Sequence, residues 1–428
     1  MNNIPQISIF DYSEIENLGD LERLKIFFEN INDKELCKTI ENERKNGRND
    51  YPVRTMLNLI YAMKIFGHRS VESFRRELAR NSQLRIACGL SEGKYKYLGE
   101  RRHLVPPARV FTGFLNKLKK HKNELDKIFE EDVKFMYENL EGFGEDCAVD
   151  GKYLDTYANQ FHKSKTKKED DERGEHDATS SCKTYYMKDG KTKKEWHYGF
   201  RAHIICDARY GLPIHYKVTP ANNSEQVELD NMIQDMEQKV EKYKLEKMIN
   251  LMGDAGYDNG TRNKELKEKH NINAIMDIRH MWTKSEEYRE IENQPIAYNE
   301  DGEVFYIIDI TKKQYEKMKY LGYDKRNNCL RYTREHTGKK VYRIPIETDY
   351  RVFTPIARDS KKFKTKYKMR TEVERLNGRI DRDYMFNDHF IRGQKKMDIM
   401  LELTFIVMLT MAKGHIKNKQ KNIRSLVA

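Results

Sequence analysis

Apolar positions in the first 140 residues recur at helical spacing. After Pro52, which suits the first turn of a helix, Met56, Leu57, Ile60, Met63, Ile65 and Phe66 follow the helical period, and Gly67 offers a C-terminal cap. Ser70 can cap the next helix, which carries Val71, Phe74 and Leu78 on one side and Arg75, Arg76 and Arg80 elsewhere around it. Two helices joined at a glycine have the outline of a helix-turn-helix, an outline that an ordinary bundle shares. Pro106-Pro107 opens a further helix with Val110, Phe111, Phe114 and Leu115 along its apolar side. Residues 1–140 are expected to form an all-α domain.

From about residue 145 the pattern changes to short apolar runs. Residues 147–149 predict a strand ending at Asp150. Residues 198–206 and 212–219 predict a strand pair joined by a turn at 207–211. Ser224 can cap a helix carrying Val227, Leu229, Met232, Ile233 and Met236, and residues 247–252 predict a strand running to Asp254. Three strands, a helix and a strand suit a mixed sheet flanked by helices, an α/β arrangement. The charge-dense stretch 162–195 reads as a mobile loop. Short β-like runs at 304–310, 341–346 and 351–354 predict a partly β insertion over about 280–357 within a domain spanning 141–428. Trp282, inside that insertion, is expected to pack. A helix-rich tail begins near 361. Its apolar run 399–412 is short and interrupted by Glu402, so a buried helix is expected rather than a membrane span.

Composition narrows the class. The 428 residues carry a formal charge of +12 and a mean hydropathy of −0.90, which suits two or three polar globular domains facing a polyanionic partner. The six cysteines form no C-x-x-C pair, so neither a zinc site nor a disulfide framework is read, and a reducing cytosol is expected. No basic segment followed by an apolar core opens the chain, so no signal peptide is expected.

Three acids then stand out. Asp150 follows an apolar run in Val149-Asp150-Gly151, and Asp254 follows another in Met252-Gly253-Asp254-Ala255-Gly256. Each has an ordinary reading as a turn former or cap, with Asp155 and Asp258 nearby as alternatives. Glu374 lies on a predicted helix, where Tyr367, Arg370 and Glu374 share one face and Glu372 points elsewhere. A surface pair of Arg370 with Glu374 is the plain alternative there. Taken jointly, two carboxylates at strand ends and one on a helix have the oxygen chemistry to hold two Mg²⁺ ions, which drive in-line attack on a phosphodiester.

In this order the motifs resemble those of the DDE transposases of bacterial insertion sequences, in the branch with Tyr367-x-x-Arg370-x-x-x-Glu374 on the last catalytic helix. The resemblance runs from about Tyr51 to His415. It takes in Tyr51-Pro52-Val53-Arg54, Val149-Asp150-Gly151, Val218-Thr219-Pro220-Ala221-Asn222 and Gly253-Asp254-Ala255-Gly256-Tyr257-Asp258. It implies an RNase H-like fold, two Mg²⁺ ions that Mn²⁺ can replace, and Asp150, Asp254 and Glu374 as catalytic metal ligands. It implies cleavage at inverted terminal repeats, transfer of 3′ ends to target DNA, and a homodimer on double-stranded DNA, in a cytoplasmic, nucleoid-associated protein with no membrane partner. Three departures accompany it. Asp381 stands where the family usually has lysine, with Arg379 and Arg382 beside it. Glu225 stands where relatives often have Asp. Only Cys329 remains of the cysteine clusters many relatives carry. A transposase-derived DNA-binding protein without catalysis and an RNase H-like nuclease are the alternatives.

DNA contacts are expected from Lys364, Lys366, Tyr367, Lys368 and Arg370 leading into the Glu374 helix, and from Arg375, Arg379 and Arg382 beyond it, chiefly through phosphates. Reading of the terminal repeats is expected from the N-terminal helices, with Arg75 and Arg76 as contacts.

Overall fold

The computed structural model describes residues 19–43, 51–90, 104–158, 175–186, 191–283, 286–336 and 340–425. Its N-terminal region is all-helical, with α1 (Glu22–Asn30), α2 (Lys34–Glu43), α3 (Val53–Ile65), α4 (Val71–Arg80), α5 (Ser82–Ala87), α6 (Ala108–Leu118) and α7 (Lys122–Asn139). The expected caps are in place. Pro52 precedes α3, Gly67 follows it at φ +60°, and the Ser70 hydroxyl accepts from the Ser73 N–H at 3.1 Å to open α4. Helix α3 is buried on nearly every side, which makes it the centre of a bundle and not an exposed groove reader.

The sheet that follows begins with β1 (Asp146–Asp155), β2 (Thr179–Tyr186), β3 (Thr192–Asp207) and β4 (Pro213–Pro220), which pair antiparallel around β3. After α8 (Glu225–Tyr243) come β5 (Asn250–Gly253), α9 (Gly260–Glu268) and β6 (Asn273–Met276), with β5 parallel to both β1 and β6. The strand order β4-β3-β1-β5-β6, with β2 on the far end of β3, is broadly consistent with an RNase H-like core carrying insertions. Its apolar faces are filled by residues such as Val149, Ile204, Leu251 and Ile275, all essentially inaccessible.

Several expectations are corrected. Strand β1 does not stop at Asp150. It runs to Asp155 because β3 goes on pairing it, from Asp150 opposite Ile204 to Asp155 opposite Gly199. Within 162–195, residues 179–186 and 192–195 are paired strands and not loop. The threonines, serines and tyrosines there suit a pleated ribbon, and the extended β3 satisfies their backbone while the lysines stay in water. Residues 162–174 and 187–190 of that expected loop lie outside the described residues. Val227 is exposed, leaving the rest of the predicted apolar stripe of α8 buried.

The insertion is more regular than expected. Strands β7 (Arg289–Glu290), β8 (Ile296–Tyr298), β9 (Val304–Asp309), β10 (Gln314–Asp324), β11 (Cys329–Arg334) and β12 (Val341–Pro345) form one antiparallel meander in chain order. It closes over its own small core, which includes Ile296, Leu330, Tyr332, Ile344 and Phe353. Residues 351–354 are not a strand but supply Val352 and Phe353 to that core. Trp282 packs edge-on to Tyr298 beneath Arg289.

The tail forms α10 (Lys361–Lys368), α11 (Thr371–Arg382) and α12 (Gln394–Lys417). By length and composition α12 is apolar enough to cross a membrane, yet it is enclosed by α1, α3, α7 and β4. Glu402 within it is fully buried, 3.0 Å from the Lys122 ammonium. Burial pushes the Glu402 carboxyl well above its usual range, and Lys122 only partly opposes this.

A carboxyl raised in the folded state contributes its full stability below the unfolded value of about 4.3 and loses it as pH climbs toward the folded value. Glu402→Gln should therefore gain stability relative to the parent between about pH 4 and 8. Urea unfolding at both ends of that window checks this, and an unchanged difference would mean that Glu402 ionises without penalty.

Candidate active site

Register brings the first two acids together. The parallel ladder of β1 and β5 pairs Cys147 with Leu251 and Ala148 with Met252, where it ends. Asp150, still in β1, and Asp254, one residue past the end of β5, each lie two residues beyond that last pair, close enough for the charge of Asp254 to act on Asp150. Burial is the chief cause that pushes the Asp150 carboxyl up to about 6, followed by the negative charges of Asp254 and Glu225. Asp254 accepts from the Gly256 N–H at 2.8 Å, in a tight turn that a side chain on Gly256 would crowd.

Glu225 is the acid that sequence reasoning did not place in the site. It opens α8, and a Cβ added to Gly151 would collide with its carboxylate, so the glycine after Asp150 makes the room. Arg201, buried and lying over the Tyr153 ring at 4.2 Å, pairs with Glu225 at 3.1 Å. Burial raises the Glu225 carboxyl, Arg201 lowers it, and Asp254 raises it again. Its signal in the sequence is its position at a helix start just after Val218-Thr219-Pro220-Ala221, the end of the strand that flanks β3.

Glu374 lies on a separate element. The single helix expected to carry Tyr367, Arg370 and Glu374 breaks at Met369 and Arg370, so Tyr367 belongs to α10 while Glu374 lies in the first turn of α11. The three residues are joined through Arg370 and not by one helix face. Its guanidinium lies over the Tyr367 ring at 5.6 Å and pairs with Glu374 at 2.9 Å. Burial opposes the charge on Arg370, but Tyr367, Glu374 and Asp150 outweigh it and raise its pKa. Helix α11 lies along β1. The Asn377 amide donates to Asp150 at 2.8 Å, and Lys152 pairs with Asp381 at 2.7 Å. Glu374 is half-exposed one turn before Asn377, on the side of α11 that meets Asp150. Among the described residues, no group of three His, Cys, Asp or Glu side chains is close enough to enclose a metal ion.

The neighbouring acids have other work. Asp258 is buried and accepts from Arg351 at 3.1 and 3.2 Å and from the Arg279 N–H at 3.0 Å, with Arg358 at 3.6 Å. It fastens the root of the insertion to the loop bearing Asp254. Asp155 is exposed beside His197 at the far end of β1. Glu372 is buried and pairs with Arg375 and, at 2.7 Å, with Arg424.

The expected DNA contacts divide in two. Lys364, Lys368, Arg76, Arg375 and Arg382 are exposed. Lys366 donates to the buried Asp146 at 2.6 Å and acts as a strut between α10 and β1. Arg75 is tied to the Pro106 carbonyl at 2.9 Å and to Glu72 at 2.8 Å, and Arg379 is half-buried beside Tyr384.

Residues 144–410 match the family described as Transposase DDE domain, and residues 12–96 match the one described as Transposase domain (DUF772). The chain belongs to the DDE transposase family. The pairing of the two domains is consistent with the transposases of bacterial insertion sequences. The match over 144–410 spans the sheet, the β insertion and all three acids. Among solved structures, the chain is similar to a piggyBac transposase synaptic complex with hairpin DNA seen by cryo-EM. That likeness has 9% identity and a TM-score of 0.40, covering 96% of this chain and 78% of that one.

Acids crowded against one another destabilise this transposase, whereas a clasped acid stabilises it. In chelator-containing buffer at neutral pH, Asp150→Asn should raise the unfolding free energy by on the order of 1 kcal/mol. Asp258→Ala should lower it by about 3–5 kcal/mol, because Arg351 and Arg358 lose their buried partner. Urea titration of the two variants tests this, and equal effects would contradict the division of roles.

Proposed function

We propose that this transposase hydrolyses phosphodiesters at the inverted terminal repeats of its insertion sequence and joins the freed 3′-hydroxyls to target DNA. The observation that carries the reading is the side-by-side position of Asp150 and Asp254 beyond the last β1–β5 pair, with the Glu374 helix bonded to Asp150 through Asn377.

The donor set suits the implied ions. Carboxylate oxygens are the ligands Mg²⁺ and Mn²⁺ prefer, and the repulsion from Asp254 and Glu225 that adds to burial in raising Asp150 is the kind a divalent cation relieves. Asp150, Asp254 and Glu374 would hold the ions, with Glu225 adding negative charge from the start of α8. Bound there, such ions activate the attacking water or 3′-hydroxyl and stabilise the leaving oxygen.

The chain's own residues do the rest. Arg370 steadies Glu374 from one turn away, and Asn377 orients the Asp150 carboxylate. The exposed Lys364, Lys368, Arg375 and Arg382 grip strand phosphates beside the acids, and Arg76 contributes from the helical region. Tyr367, Lys366, Arg379 and Arg75 support those contacts by holding their elements in place. The N-terminal helices read the terminal repeats, and two copies act on paired ends in the bacterial cytoplasm.

Mg²⁺- or Mn²⁺-dependent nicking and strand transfer on DNA bearing the element's ends test the proposal. Asp150→Asn, Asp254→Asn and Glu374→Gln should each reduce both steps by roughly 10³-fold or more while leaving end binding intact. Binding without nicking by the parent protein would establish the non-catalytic reading. Nicking without preference for ends would establish the nuclease.

A further inference from the structure

A cavity of about 460 Å³ lies where the helical region meets the segment just after α11. Its wall includes Lys64 and the first turn of α4 on one side, and Phe386, His389, Phe390 and Lys396 on the other. Gly67 brings the two sides together. A Cβ there would stand 2.8 Å from the Asp383 carbonyl, so only glycine permits the approach.

Lys64 is the anomaly. Its side chain is only 4% exposed, and it makes no hydrogen bond or ion pair with any described residue. Its ammonium lies over the Phe386 ring at 4.4 Å. Lys396 lines the same cavity and is likewise unpaired among the described residues. Burial alone pushes Lys64 down to about 7. Burial also lowers Lys396, with Lys119 adding to the effect. Burial, then the charge of Lys64, brings His389 to about 4.

A buried ammonium without a partner costs several kcal/mol unless something compensates it. Among the described residues, no carboxylate at the cavity does so. Glu72 is held through both oxygens by Arg75 at 2.8 Å, and the nearby Asp388 is held by Arg69 at 2.6 Å. What remains at the wall is positive: Lys64, Lys396, the exposed Arg76 and the N-terminal end of α4, whose backbone N–H groups favour an anion. The volume exceeds the needs of a bare anion and falls within the range of small-ligand pockets, and the aromatic wall suits a planar body.

We propose that this cavity binds a phosphate group carried on a body of about nucleotide size, its charge met by Lys64 and Lys396 and its planar part by Phe386 and Phe390. The site does not depend on the reaction at Asp150 and Asp254. It makes the joint between the helical region and the tail sensitive to a phosphate ligand, either a free nucleotide or a nucleotide of a bound DNA strand.

The test uses the full chain with adenosine monophosphate, inorganic phosphate and a 5′-phosphorylated duplex as probes, reading the thermal midpoint and the protection of Lys64 from amine-directed labelling. At least one probe should raise the midpoint and protect Lys64. Lys64→Met should raise the midpoint without ligand and abolish the ligand shift. Lys396→Met should weaken binding about tenfold or more. An effect of the mononucleotide assigns the site to a free ligand, and an effect of the duplex alone assigns it to a DNA strand. No protection of Lys64 with any probe overturns the proposal, as does a mononucleotide or phosphate shift that survives in Lys64→Met. Should Lys64→Met not fold, Lys396→Met and the labelling of the parent protein decide it.

Discussion

The ladder between β1 and β5 ends at Ala148 and Met252, and the arrangement of the core depends on that ending. Up to that pair the two strands are held by parallel hydrogen bonds and buried apolar side chains. Beyond it β5 ends at Gly253 while β1 continues, paired in the sheet with β3. The gap beside β1 admits the turn that bears Asp254, the first residue of α8, and the side of α11. Ligand sites in open α/β sheets form at such places, where strands part and side chains from several elements meet.

Crowding acids there has an energetic cost, and the surrounding structure offsets it. Arg201 neutralises Glu225, Arg370 neutralises Glu374, and Asn377 supplies Asp150 with a neutral donor. Asp254 receives only a backbone N–H among the described residues. The rigidity comes from outside the cluster. Asp258, with Arg351 and Arg358, locks the Asp254 loop to the insertion, and Lys366 with Asp146 locks α10 to the start of β1. The basic residues nearest the acids therefore divide between fastening the frame and facing solvent.

Much of this was legible in the chain, for reasons that differ from residue to residue. The helical period with Pro52, Gly67 and Ser70 marked α3 and α4, since caps act locally. The apolar runs before Asp150 and Asp254 marked β1 and β5 for the same reason. The continuation of β1 was hidden because residues 151–155 are polar, and only their pairing with β3 makes them a strand. The ribbon of β2 and β3 was hidden by its lysines, which mask β-forming residues between them. Glu225 was visible as an oddity but not as a member of the cluster, because its nearness to Gly151 is set by tertiary packing of α8. The break at Met369 and Arg370 has no proline or glycine to announce it.

The pair formed by Lys152 and Asp381 shows how a departure in sequence alters the chemistry of one face. Asp381 lies seven residues after Glu374, two helical turns along the side of α11 that meets β1, and a lysine there would extend toward the acids as an unpaired cation. In this chain the aspartate takes that position, and the cation comes from the strand two residues after Asp150. The lysine is nearly enclosed and already paired, so its field beyond the pair is that of a dipole. Arg379 is partly enclosed as well, whereas Arg382 is exposed one turn past Gly378. Among the described residues of α11 beyond Glu374, the exposed cations are therefore Arg375, itself paired with Glu372, at one end and Arg382 at the other, with a neutralised pair between them.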